Sequence, residues 1–423
     1  MATLAALPAA MARILLCLFV LARVCASIGS RLPIDDGKKF FDVIEYGTVG
    51  DGRTDNTKAF KKAWNDACES KASVPTMHIP QNKTYLLQPL VLRGPCNSQN
   101  LTIQIDGTLA APGDPSAWKK RDKKSCRHWI MIGDVDGLSV LGSGAIDGNG
   151  SGWWDHSLCR HRHVGCGKKP TGLVIDKCNE VRLSDLTFKD SPQMHIAIER
   201  STRVRAANLT ITSPGHSPNT DGIHVQRSRH VRIHDCRIGT GDDCISIGNG
   251  SAHLDISRIT CGPGHGISIG SLGKHGSRET VEDVRVRDVH FVGTSNGVRI
   301  KTWQGRKGYA RDIVFERITV SNSSHPIIID QFYCDHQDCK NQTSAVEISN
   351  VTYSQVNGTS RAKAAVEFAC SNKHSCRDIL MKDITLNLTA KGKETTSYCS
   401  NVRGRRNSNI FPSISCLEED EDL

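Results

Sequence analysis

Short β-branched triplets recur in pairs along this chain, and the spacing within a pair does not change. Val181-Arg182-Leu183 is followed by Leu186-Thr187-Phe188, Val204-Arg205-Ala206 by Leu209-Thr210-Ile211, and Val231-Arg232-Ile233 by Cys236-Arg237-Ile238. Further pairs start at Leu254 and Ile259, Val284 and Val289, Ile313 and Ile318, Val346 and Val351, and Ile379 and Ile384, so the five-residue offset holds in all eight. A third triplet precedes each pair, such as Ile196-Ala197-Ile198, Ile223-His224-Val225, Ile245-Ser246-Ile247, Ile267-Ser268-Ile269, Val298-Arg299-Ile300 and Ile327-Ile328-Ile329. In an extended segment alternate side chains point to opposite faces, so the middle residue of a triplet faces out and its neighbours face in. One unit is then three short strands joined by Gly, Asn and Asp turns, which cannot bury its apolar side unless other units stack on it. A period of 22 to 31 residues with no helices between strands predicts an all-β solenoid, a right-handed single-stranded parallel β-helix. The hairpins of an antiparallel sandwich would not keep one offset through eight units.

A solenoid needs its apolar end covered. From Thr54 to Cys68 the apolar residues Ala59, Phe60, Ala63, Trp64 and Ala67 fall at helical spacing behind the candidate N-caps Thr54 and Asp55, which predicts a short N-terminal capping helix. No Pro/Gly/Ser linker divides the chain, so residues 27–400 are expected to form one β-helix domain, with 1–26 a leader and 401–423 a tail. The acidic run Glu418-Glu419-Asp420-Glu421-Asp422 near the end is expected to be a solvated tail.

The leader reads as a secretory signal cleaved after Ala26, because Arg13 precedes the apolar run Ile14 to Leu21 and small residues follow at Val24-Cys25-Ala26. That run of eight apolar residues is far short of the ~20 a membrane-spanning helix needs. Of 17 cysteines, Cys17 and Cys25 leave with the leader, and the remaining 15 cannot all pair within one chain. In an exported protein the rest are expected to form disulfides, with Cys334/Cys339 and Cys370/Cys376 near enough in sequence to be local pairs. Metal ligation would call for a paired C-x-x-C pattern, and none is present, so no metal is expected. Ten N-x-S/T sequons, from Asn82 to Asn387, fit a eukaryotic secretory route. The formal charge of +10 falls to +8 without Arg13 and Arg23, a balance that suits an anionic partner. Export and disulfides make that partner an acidic polysaccharide in preference to nucleic acid or a membrane surface.

The coil period brings particular residues together. Asp221 stands 21 residues before Asp242 and 22 before Asp243, and His265 lies 22 beyond Asp243. Neighbouring rungs are roughly 4.8 Å apart, so three carboxylates and an imidazole are expected on one face. In the next strand Val298 and Ile300 point inward, which sends Arg299 and Lys301 outward beside the cluster. Turn-forming Asp at solenoid corners would account for any one of these acids, but not for four residue types gathered on one edge. Three acids near two cations and a His can bind an anionic ligand while moving protons. Glycoside hydrolysis needs such a pair of roles, one carboxyl protonated for the leaving oxygen and another ionised for water. Mutual repulsion among close carboxylates raises the pKa of one while the others stay ionised.

Asn219-Thr220-Asp221, Gly241-Asp242-Asp243-Cys244, Gly264-His265-Gly266 and Arg299-Ile300-Lys301, in this order and spacing, resemble the four signature motifs of the polygalacturonases, glycoside hydrolase family 28. The resemblance runs from Phe41-Asp42-Val43 to about Leu388 and is nearer to plant members than to fungal ones, notably through the stretch from Asn296 to Gly305. It implies an inverting hydrolase of the α-1,4 bonds of polygalacturonan (pectin) that works without a cofactor, endo-acting, secreted to the cell wall and monomeric. It further implies that Asp242 protonates the leaving oxygen, that Asp221 and Asp243 position and deprotonate the water, and that His265 supports the acid and contacts substrate. By the same resemblance Arg299 and Lys301 hold the galacturonate carboxylate, Tyr333 stacks on a sugar, Asn219 contacts substrate, and Cys244 and Cys261 form a disulfide beneath the site. Arg306 and Lys307 stand where small residues are usual and bear on substrate preference, while Trp153 and Trp154 are expected to be structural.

Other functions fit less well. An exo-acting enzyme or a rhamnogalacturonan hydrolase would share the family, though the latter would not need the Arg299/Lys301 pair in this form. A pectate lyase would share the solenoid but calls for a separate acidic calcium cluster, which this sequence lacks. A non-catalytic binding protein would be expected to have lost one of the three Asp, and none is lost.

Overall fold

The computed structural model describes residues 37–118, 127–154, 169–274, 278–305, 307–334, 339, 342, 345–390 and 393–420. The leader at 1–26, the sequon Asn341 and Arg306 lie outside these residues. The chain winds as a right-handed parallel β-helix, as the triplet repeat predicts, with an 11-stranded sheet and a 21-stranded sheet among the described residues. The first triplets of the coils make the smaller sheet. There Leu90, Ile130, Leu173, Ile196, Ile223, Ile245, Ile267, Val298, Ile327 and Val366 stack in register as one inward column. The paired triplets make strands of the larger sheet, and both sheets turn their apolar columns into one continuous core.

The invariant five-residue offset has a local cause. Each bend puts one residue in the left-handed region just before the next triplet, at Asp185, Asn208, Asp235, Arg258, Asp288, Arg317, Gln355 and Asp383, with φ between 52° and 63°. Three strand residues plus a two-residue bend make five, and Asn and Asp take this conformation at least cost among residues with a Cβ. A second bend five residues earlier, at Asp283, Asp312, Asn350 and Asp378 for example, opens each pair. These bends correct one assignment. Val351 pairs with Ile313 and Val356 with Ile318, so the seventh pair starts at Val351 and Val356, not at Val346 and Val351. Val346 and Ile348 precede the bend at Asn350, and their buried apolar pattern is the same as that of a first triplet.

The capping helix spans Thr57–Glu69 and buries Phe60, Ala63, Trp64, Ala67 and Cys68. It begins later than the sequence suggests, after Asn56, and neither Thr54 nor Asp55 is its N-cap. Asp55 instead accepts hydrogen bonds from the Thr57 backbone N–H at 3.0 Å and the Thr57 hydroxyl at 2.5 Å. Trp64 Nε1 donates to the Arg93 carbonyl at 3.3 Å, at the end of the strand Leu90–Arg93, and a Cys68–Cys96 disulfide ties the helix to the chain beyond that strand. Trp153 packs edge-on against Trp118 with centroids 5.4 Å apart, and Trp154 Nε1 donates to the Ser191 carbonyl at 3.1 Å, so both serve packing.

Of the acidic run, Glu418 and Glu419 are solvent-exposed as expected but are tied to the last coil, and Glu421 and Asp422 lie outside the described residues. Val402–Arg406 joins the larger sheet, and Glu418 and Glu419 pair with Arg405 and Arg406 as a further strand. Arg405 meets Asp420 at 2.7 Å and Arg406 meets Glu419 at 2.9 Å, which draws these acids onto the last coil. Cys334–Cys339, Cys370–Cys376 and Cys244–Cys261 are disulfides, as is Cys399–Cys416, which sequence spacing did not single out. Cys178 and Cys236 remain buried thiols, both pushed up to about 11 mainly by burial. Among the described residues no helix is long and apolar enough to cross a membrane.

Register also sets the energetics of the core. Ile256 is 0% exposed and stacks between Ile233 and Val286. An Ile256→Ala change deletes packing that neighbours fixed by two ladders cannot recover. It is expected to lower stability by about 2–5 kcal/mol, measured by denaturant unfolding, while activity per folded molecule stays at the parent level. A loss below about 1 kcal/mol would mean that the coils relax far more than a close-packed interior allows.

Candidate active site

The site is built on the smaller sheet at the entry to consecutive strands Ile223–Gln226, Ile245–Ile247, Ile267–Leu272 and Asn296–Trp303. Because Ile223, Ile245, Ile267 and Val298 are in register, the residues two places earlier, Asp221, Asp243, His265 and Asn296, form a ladder across four rungs. Backbone bonds lock it, with Gly222 N–H donating to the Asp243 carbonyl at 2.9 Å and Cys244 N–H to that of Gly266 at 2.8 Å. Asp242 precedes the ladder residue Asp243 and turns outward, its carboxylate receiving the Asp243 N–H at 2.8 Å.

Each carboxylate has a different environment. Asp221 is buried, accepts a hydrogen bond from the Ser246 hydroxyl at 2.6 Å, and is pushed up to about 7 by burial and then by the charges of Asp242 and Asp243. Asp243 is held by three donors, the Ser268 hydroxyl at 2.7 Å, Arg299 Nη2 at 2.7 Å and Lys301 Nζ at 2.9 Å. Asp242 is the most open of the three, its side chain 18% exposed, and His265 Nδ1 lies 3.1 Å from it. Burial alone would raise its pKa, but the His265 hydrogen bond and charge, the Lys301 charge and the Asp243 N–H outweigh that and lower it. The same bond raises the pKa of His265. In the free site the set therefore keeps a proton at Asp221 near neutral pH, while Asp242 is ionised against His265.

Asn219, Tyr333 and the Cys244–Cys261 pair join this neighbourhood. Asn219, in the left-handed region at φ 58°, turns its amide toward Asp242 at 3.5 Å. Tyr333 reaches the site from the strand His325–Tyr333, its ring 5.3 Å from Lys301 Nζ and edge-on to Trp303 at 5.6 Å. The Cys244–Cys261 disulfide adjoins Asp243. Asp242, Asp243 and His265 bring donor atoms within 4.8 Å of one another, a spacing open to a cation. Arg299 and Lys301 already occupy both oxygens of Asp243, so the donor set suits a proton-handling site better than a divalent ion.

Sequence reasoning missed the supporting layer. His224, Ser246, Ser268 and Arg299 are in register as the outward middle residues of their triplets. His224 Nδ1–H donates to the Ser246 hydroxyl at 2.8 Å, which in turn donates to Asp221. Ser268 likewise accepts from Arg299 Nε at 2.9 Å and donates to Asp243. The rule that turned Arg299 outward would also have found them. His195 was less visible, since no motif marks it. It is buried and held down to about 4 by that burial, so it is neutral at pH 7. Its backbone N–H and Nδ1 both meet the Asp221 carbonyl, at 2.8 and 3.1 Å, and fix the main chain beneath that acid.

Comparison with known proteins adds to this geometry. The family model "Glycosyl hydrolases family 28" matches residues 68–413. A probable polygalacturonase of Arabidopsis thaliana is 44% identical over 393 residues, covering 92% of this chain and 87% of that protein. A polygalacturonase of Persea americana is 45% identical over 361 residues, 85% of this chain and 76% of that protein. Among solved structures, the endo-xylogalacturonan hydrolase of Aspergillus tubingensis superposes with a TM-score of 0.73 at 26% identity, covering 84% of this chain and 95% of that one.

Proposed function

The chain belongs to the glycosyl hydrolases of family 28, and from that premise we propose that it is a secreted, monomeric polygalacturonase that cuts the α-1,4 bonds of cell-wall pectin from within. The observation that carries this is the ladder of Asp221, Asp243 and His265 with Asp242 beside it, two cations among them and Tyr333 at the edge. Asp242, the most open carboxyl, donates the proton to the leaving oxygen. Asp221 and Asp243 orient and deprotonate the water on the other side of the bond, which inverts the anomeric centre. In the free site the proton sits on Asp221, so catalysis requires it to move within the carboxylate set when substrate binds. An arriving galacturonate carboxylate favours that move, because it draws on Arg299 and Lys301 and displaces water from Asp242, and both effects make a charged Asp242 more costly. His265 holds Asp242 in place, and Asn219 and Tyr333 contact the sugars.

The test is the early product pattern from long polygalacturonate in the presence of a chelator. A ladder of saturated oligomers is expected, with the rate unchanged by the chelator, because carboxylates supply both proton transfers. Monomer alone would make the enzyme exo-acting, and an unsaturated, ultraviolet-absorbing product would make it a lyase.

The pH dependence follows from the same groups. Asp221 is raised to about 7, so the shared proton is present below that pH and lost as pH rises through it. Asp242 is lowered, so an ionised partner persists until the pH falls below the usual carboxylate range. A bell-shaped kcat/KM profile is expected, with its alkaline limb near pH 7 and its acid limb below the usual carboxylate range. An alkaline limb above pH 9 would show that a group other than this carboxylate set holds the proton.

A further inference from the structure

We propose that the outer face of the larger sheet carries a second, non-catalytic binding track for an anionic polysaccharide, centred on the arginine column Arg182, Arg205 and Arg232. The identity of the ligand as galacturonan rests on the function proposed above, whereas the track itself rests on separate residues. Arg182, Arg205 and Arg232 are in register on three consecutive parallel strands and all are exposed. Three like charges side by side across strands are unfavourable, and the columns on either side avoid that. One neighbouring column pairs Arg203 with Glu180 at 3.1 Å, and the other pairs Arg258 with Asp235 at 2.6 Å. Among Arg182, Arg205 and Arg232 no such alternation occurs, and it resumes only at Asp255, the next residue of the column.

Arg232 lies 3.5 Å from Asp255, which follows it in register on the next strand, and that carboxylate is already bound by Arg287 through both oxygens at 2.9 Å. Arg205 is held by a neutral partner. Its Nε donates to His234 Nε2 at 2.9 Å, which requires a lone pair there, so the His234 proton is on Nδ1 facing Asp235. Arg205 is thus oriented without being neutralised. Toward the N-terminus the same column continues as Ser139 and Thr102, which with Gln99, Asn100 and Glu180 line a groove of about 260 Å³ ending at Arg182, the Glu180 carboxylate being paired with Arg203. Hydroxyls leading into a row of guanidinium forks one rung apart match a chain of hydroxylated sugars bearing carboxylates at regular intervals. Such a track would hold one stretch of polymer on this face while the carboxylate ladder of the other sheet cuts another.

The experiment compares the full secreted protein with the triple variant Arg182→Gln, Arg205→Gln, Arg232→Gln on immobilised polygalacturonate, eluted with salt. Any glycan at Asn100 or Asn208 is common to both and cancels. The variant is expected to elute at lower salt and to bind long polygalacturonate at least tenfold more weakly. Its kcat and KM on a short oligogalacturonide should stay within twofold of the parent. A control carrying the same charge change on the capping helix, Lys58→Gln, Lys61→Gln, Lys62→Gln, should elute close to the parent. Equal loss in the control would reduce the effect to net charge and overturn the track, as would unchanged elution of the arginine variant. Loss confined to phosphatidylserine vesicles, with pectate retention intact, would reassign the face to membranes and equally overturn it. Failure of the parent to cut the short oligomer would refute the hydrolase reading while leaving the elution result interpretable by itself.

Discussion

Replacing Asp242 by Asn is expected to lower kcat on polygalacturonate by about 100- to 10,000-fold, the range for losing a general acid, with substrate binding retained. The substitution is nearly isosteric. An Asn Oδ1 can still accept the Asp243 N–H, which lies 2.8 Å from the carboxylate, and the His265 Nδ1–H at 3.1 Å, so the turn should keep its shape. What disappears is the charge and the capacity to carry a proton. Binding should be equal or tighter, because one negative charge facing an anionic polymer is removed. His265 supplies an independent readout, since its pKa is raised chiefly by Asp242 and should fall back toward the ordinary imidazole value in the variant. Kinetics on polygalacturonate, a dissociation constant from the inactive variant, and a His265 titration by NMR together check the outcome. Retention of more than a tenth of the turnover would remove Asp242 from the role of acid. Asp221, which holds the proton in the free site, would then be the next donor to test by Asp221→Asn.

How much of this was legible in the sequence depends on the scale of the feature. The solenoid was readable because parallel stacking repeats one apolar pattern, and triplets such as Ile245-Ser246-Ile247 and Ile267-Ser268-Ile269 satisfy the same inward column. The site was readable for the same reason, since a coil of constant length turns spacing into proximity. Asp221, Asp243 and His265 could be placed together from a 22-residue interval alone. Where coil length or triplet phase varied, the reading slipped, as at Val346, whose apolar pattern matched a strand on the wrong side of the bend at Asn350. The tail was legible only in part. Glu418 and Glu419 are exposed as expected, but their pairing opposite Arg405 and Arg406 is encoded by no local pattern. Proton placement was also out of reach, because it depends on depth. Asp221 and Asp242 are alike in sequence, but one is buried beneath Ser246 and the other opens toward His265, and their pKa values move in opposite directions.

Lys301→Ala is expected to weaken binding of polygalacturonate by about 2–3 kcal/mol, the scale of a hydrogen bond to a charged group, and to have little effect on a fully methyl-esterified chain. The structure gives this cation two tasks. In the free site Lys301 lies 2.9 Å from Asp243, while Arg299 holds the other oxygen of the same carboxylate at 2.7 Å. Their immediate work is to neutralise Asp243, and a substrate carboxylate must compete for them. Lys can do so readily, because a compact ammonium with three donors can keep one bond to Asp243 and offer another. Removing it should therefore be felt twice. Affinity falls for substrate that carries a carboxylate, because one of its partners is gone. The Lys301 charge also lowers the pKa of both Asp221 and Asp242, so its loss raises both and moves the whole pH–rate profile upward. A raised carboxylate pKa means that the ionised base is lost at a higher pH on acidification, so the acid limb must shift toward neutrality. Michaelis constants on the two polymers across pH 3–8 separate the tasks. A rise in KM on polygalacturonate alone, with the acid limb displaced upward, is the expected result. Equal losses on both polymers, or a displaced profile with KM unchanged, would leave Lys301 only its neutralising task and assign carboxylate recognition to Arg299, whose Arg299→Lys variant would then carry the specificity loss.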